Sequence, residues 1–101
     1  MLVDVIRHQY EKLGNALRAL MSLTMPAPQR IAHAMRELAL AFPDRPVPEW
    51  AAKHVRTIRS IAGSDGDTEA RAQALGELQL NQLSAAFLEL YTVASREYWT
   101  A

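Results

Sequence analysis

The sequence predicts an all-α protein, a small antiparallel four-helix bundle with a long C-terminal helix. Three observations carry that expectation. Ala and Leu are abundant, while Val, Ile and Thr are sparse. Apolar residues return at three- and four-residue steps, and no stretch alternates as a strand would. Segments bearing Pro or Gly cut the chain into four periodic stretches. With 101 residues, 50% apolar and 22% charged, the chain has the size and make-up of a single helical domain spanning 1–101.

The first helix is expected from about Leu2 to Thr24. Leu2, Val3, Ile6, Tyr10, Leu13, Leu17, Leu20 and Met21 share one face, and Asp4, Arg7, His8, Glu11, Asn15, Arg18 and Ser22 the other. Gly14 costs about 1 kcal/mol relative to Ala inside a helix. It either admits a close neighbour or marks a bend. Met25-Pro26-Ala27-Pro28 ends the helix, and a Pro is tolerated in the first turn of the next one because its missing N–H would find no partner there. The second helix, about 28–42, has Ile31, Ala34, Met35, Leu38 and Phe42 as its buried row.

Pro43, Pro46 and Pro48 then make a stiff, extended connector. It is too long for the tight turn of a DNA-reading helix pair. The third helix, about 48–62, carries an apolar stripe of Ala51, Val55, Ile58, Ile61 and Ala62. Gly63 falls where a left-handed C-terminal cap is wanted. Ser64-Asp65-Gly66-Asp67-Thr68 is a turn, with Asp67 as N-cap and Glu69 in the first turn of the last helix. That helix, about 67–98, is expected to run unbroken for roughly 45 Å. Leu75, Leu83, Ala86, Phe87, Leu90, Ala94 and Tyr98 form its core face, Leu80 and Tyr91 flank it, and Gly76 is its weak point.

Composition removes several classes of function. Without Cys there is neither a disulfide nor a thiolate metal site. The longest apolar run, Leu38 to Phe42, is far short of a membrane span. The N-terminus lacks the basic-then-apolar pattern of a leader, so a cytoplasmic location away from membranes is expected. Residues 1–64 hold nine Lys/Arg against five Asp/Glu, and residues 65–101 hold two against six. The chain is therefore a dipole in sequence, whose halves either neutralise each other or present a charged face to a partner.

Little in the chain points to catalysis. His8 and His33 project onto polar faces as solvated residues. His54 lies on the apolar stripe near Trp50, Ile58 and Ile61, as a half-buried packing residue or a pH-sensitive contact. Glu-x-x-His, the inward-facing unit of a di-metal bundle, does not occur. A Gly-x-Ser-x-Gly elbow and a phosphate-cradling glycine loop are also missing, and the turn at 63–67 lacks the following ligands of a calcium loop. The expectation is a non-enzyme without cofactor or metal.

Two surfaces remain. Lys53, Arg56 and Arg59 share a face of the third helix, with Arg45 before it, and such a group can neutralise phosphates. The absence of interleaved aromatic residues disfavours nucleic acid. Opposite the core face of the last helix lie Glu77, Asn81, Ser84, Leu88, Thr92, Ser95 and Trp99. Leu88 and Trp99 break the polar pattern, and Trp is a residue type enriched where binding energy concentrates.

The stretch from Glu49 through Trp99 combines a basic helix, the Gly-Ser-Asp-Gly-Asp turn, and the Leu-Gly-Glu-Leu and Phe-Leu-Glu-Leu-Tyr blocks. In this it resembles the small all-helical immunity proteins of bacterial toxin and contact-dependent inhibition systems. The resemblance implies a non-catalytic protein-binding module that covers a cognate toxin domain. Asp65, Asp67, Glu69 and Glu77 would complement the phosphate-binding groove of a nuclease toxin. The alternative is a small self-associating structural or regulatory bundle, a homodimer through the second face of the last helix. A third reading is nucleic-acid binding through the basic face of the third helix.

Overall fold

The computed structural model describes residues 2–22, 24–43, 47–63 and 68–100. Every secondary-structure element in it is helical, which bears out the all-α expectation, but the described residues form five helices rather than four. The N-terminal helix α1 (Leu2–Leu20) stops short of the predicted Thr24. Met21 and Ser22 fold into a closing turn, their N–H groups donating to Leu17 O at 3.0 Å and Ala19 O at 3.2 Å. Met21 is thereby 67% exposed rather than on the core face. Leu13, Ala16 and Ala19 take the buried positions, with Gln9 beside them. α1 continues as one helix through Gly14. A Cβ there would stand 3.4 Å from Tyr91 Cε1, so Gly14 admits a close neighbour.

Helix α2 (Ala27–Ala41) buries Ile31, Ala34, Met35, Leu38 and Ala41. Pro26 N-caps it, and its carbonyl accepts from Arg30 N–H at 3.0 Å. Phe42 closes the far end, donating its N–H to Leu38 O at 3.1 Å while its ring is buried. Helix α3 (Glu49–Ala62) buries Ala51, Val55, Ile58 and Ala62, and Gly63 ends it through an N–H bond to Arg59 O at 2.8 Å. Gly63 has φ 85° and ψ 172°. The positive φ was expected, but the ψ is extended, a combination open to glycine and hardly to any other residue.

The predicted continuous C-terminal rod is interrupted. Helix α4 spans Thr68–Gln73, and α5 (Glu77–Thr100) follows after a break at 74–76. Two local causes coincide there. The last turn of α4 tightens, with Ala74 N–H donating to Arg71 O at 3.1 Å and Leu75 N–H to Ala72 O at 3.2 Å. Gly76 then serves as the entry to α5: its N–H donates to Gln79 Oε1 at 3.0 Å, and its carbonyl accepts from Leu80 N–H at 3.0 Å. A side chain in the first turn reaching back to the preceding N–H is one half of a capping box, a start signal inside what reads as one periodic stretch.

The break serves the packing. α5 lies against α1 and α3, α1 against α2, and α2 against α4, which also touches α3. The five helices thus close a ring in the order α1, α2, α4, α3, α5. α4 buries Ala72 within that ring, and α5 buries Leu83, Ala86, Phe87, Leu90 and Ala94. One cluster of buried apolar side chains draws on all five helices. α2 runs back along α1, so that His8, Lys12 and Leu20 meet Leu40, Glu37 and Arg30 respectively. Among the described residues, no helix is long and apolar enough to cross a membrane.

Candidate protein-docking surface

The predicted outward row of α5 is accessible for most of its length. Glu77, Asn81, Ser84, Leu88 and Thr92 are exposed, and Ser95 is half-buried. Leu88 is 55% exposed and Trp99 72%. Leu78, 71% exposed, is a further apolar residue on the same helix that the sequence reading left out. Thr92 Oγ1 donates to Leu88 O at 2.8 Å, so its methyl group is its remaining contact surface.

A shallow groove of about 370 Å³ runs beside this row, between α3 and α5. Leu88, Thr92 and Val93 line it from α5, with Glu89 and Arg96 bearing its charges. His54 closes it from α3. Its Nδ1 stands 3.5 Å from Glu89 Oε2, across the seam between the two helices. His54 is half-buried, as one reading of the sequence held, but its partner is a carboxylate of α5 that spacing along α3 could not reveal. Ser84 belongs elsewhere. It lines a smaller cavity of about 90 Å³ with Leu20, Arg30 and Leu80, where α5 meets the α1–α2 turn.

At its C-terminal end α5 is clamped to α1 by aromatic rings. Tyr10 stacks between Tyr91 and Tyr98, with centroids at 5.1 and 5.3 Å and interplanar angles of 17° and 13°. Trp99 meets Tyr98 edge-on at 4.9 Å, which braces an otherwise exposed indole. Tyr91 donates its hydroxyl hydrogen to Tyr10 Oη at 3.0 Å. Accepting that bond holds the Tyr10 phenol below its ordinary value. Donating it, with some burial, holds Tyr91 above. Tyr91 and Tyr98 lie two helical turns apart on α5, on one face of the helix.

Of the predicted acidic patch, Asp65 and Asp67 lie outside the described residues, as does the side chain of Glu69, and Glu77 is exposed in the first turn of α5. On the basic side, Lys53 and Arg56 are exposed, Arg59 is half-buried, and Arg45 lies outside the described residues. Of the other histidines, His8 is exposed, as expected, and His33 half-buried. His8 Nε2 donates to Leu40 O at 3.0 Å, and half-buried His33 approaches Glu37 at 3.7 Å. Glu37 also faces Lys12 Nζ at 3.9 Å, tying α1 to α2. No protein-family model, curated protein or solved structure matches the chain.

Proposed function

We propose that the protein is a non-catalytic protein-binding module that docks a partner on the outward surface of α5. The observation behind this reading is two large exposed apolar side chains on α5, Leu88 and Trp99, the first of which lines a groove whose rim carries both charge signs. Such an anchor with a polar surround is the usual anatomy of a binding hot spot. In its specific form the reading is a cytoplasmic bacterial immunity protein that occludes a cognate toxin domain by steric cover. That form draws on the resemblance of the stretch from Glu49 to Trp99. Glu77, exposed in the first turn of α5, is the member of the predicted acidic patch whose side chain the structure describes.

The test is co-expression of the chain with the product of the adjacent reading frame, followed by affinity capture. Wild type is expected to retain the partner, whereas Leu88→Asp and Trp99→Ala fold normally and release it. If both variants retain the partner as wild type does, the docking surface is elsewhere. Sizing chromatography at two concentrations addresses the second reading, a homodimer through the same ridge. That reading is favoured by Leu78, which extends the apolar surface toward the start of α5. A dimer that both substitutions dissociate would replace the toxin reading.

A further inference from the structure

A second concavity, unconnected with the α5 surface, lies where the N-terminal half of α1 meets the end of α2 and the start of α3. It encloses about 450 Å³. That is within the range that holds a small organic ligand. Its apolar walls come from Val5, Phe42 and Pro48. Its polar groups come from one stretch of α1: Asp4, His8 and Gln9.

Gln9 is the informative residue. The residue is 6% exposed and lines the cavity, and neither atom of its carboxamide is both fully buried and unpaired, so the cavity is where that amide is met. His8 adds a defined polarity. Its Nε2–H donates to Leu40 O at 3.0 Å, which leaves Nδ1 of the neutral ring as an acceptor. Asp4 contributes a carboxylate, held only loosely by Arg7 at 4.0 Å. The polar wall therefore offers three acceptors, from Asp4, His8 and Gln9, against a single donor group, the Gln9 amide N–H₂.

We infer that this cavity binds a small neutral or cationic ligand with an apolar body and an amide or amine N–H end. The N–H groups meet the acceptor-rich wall, the Gln9 amide takes the ligand carbonyl where there is one, and the apolar body lies on Phe42 and Pro48. Carboxylate and phosphate ligands are repelled by Asp4.

The experiment is a heteronuclear NMR titration of the full chain with three probes: phenylalaninamide, N-acetylphenylalaninamide and the N-acetylphenylalanine anion. Both amides are expected to give saturable shifts at Val5, Phe42 and the Gln9 side-chain amide. The anion should bind at least ~10-fold more weakly, as loss of a charge-compatible hydrogen bond in a partly desolvated site dictates. Gln9→Leu should erase that preference without lowering the melting temperature. Val5→Trp, at an exposed position whose new ring fills the slot, should abolish binding of every probe while the spectrum stays folded. Equal binding of amides and anion, binding untouched by Val5→Trp, or no saturable shift at the solubility limit would each overturn the inference.

Discussion

Gly63 and the tyrosine pair show how single residues hold this fold. Gly63 stands at φ 85°, and a Cβ there would lie 3.0 Å from Arg71 Cδ. Gly63→Ala therefore meets both backbone strain and a steric conflict. It should lower unfolding free energy by about 1–3 kcal/mol in a urea melt. Tyr10 and Tyr91 share one hydrogen bond and are pushed in opposite directions by it. Tyr10, depressed in the fold, contributes stability above the unfolded value that is lost as pH falls through its folded value. Tyr91, raised in the fold, contributes stability below the unfolded value that is lost as pH rises through its folded value. In an ultraviolet titration around the ordinary tyrosine value, Tyr10 should ionise before Tyr91. Tyr91→Phe should move the early step upward, and an unmoved early step would show that the shared bond is not its cause.

At the scale of the element, the decisive feature is the entry to α5. Gln79 reaches back to the Gly76 N–H at 3.0 Å, leaving that donor satisfied where α4 has already ended. Gln79→Ala removes the bond and should cost about 0.5–1 kcal/mol, with hydrogen exchange accelerated at Gly76 and little changed at Phe87. Exchange that quickens equally along α5 would mean the break and the helix melt as one unit. α5 itself has two unlike flanks. Leu83 is 1% exposed and Leu88 55%. Leu83→Ala should cost about 2–5 kcal/mol. Leu88→Asp, on the open flank, should stay within about 0.5 kcal/mol of wild type. A comparable loss from both would mean that Leu88 is core.

For the molecule as a whole, the ring of five helices explains why the predicted rod had to break. α5 fills the place between α1 and α3, while α4 closes the circuit between α2 and α3. One straight helix from Thr68 to Thr100 could not serve both seats. The same closure leaves much of the outer flank of α5, including Leu88 and Trp99, exposed among the described residues. Trp99→Ala is expected to keep helicity by circular dichroism, losing about 0.5–1.5 kcal/mol from the edge contact with Tyr98, while partner capture or dimerisation falls away. Retained capture together with intact folding would move the docking surface off this end of α5.

Periodicity alone determined the helical class, the buried rows Ile31–Leu38, Ala51–Ala62 and Leu83–Ala94, and the outward placing of Leu88 and Trp99, because burial follows the helical repeat wherever one flank is strongly apolar. Leu75 and Gly76 misled, since the apolar repeat runs on across the break; the Gln79–Gly76 bond marks the restart, and Ala72 is buried on the α4 side of it. Tertiary structure alone decided the His54–Glu89 contact, the Tyr10 sandwich and the burial of Gln9. Each depends on which helix lies opposite, a relation between residues far apart in sequence that no spacing within one helix encodes.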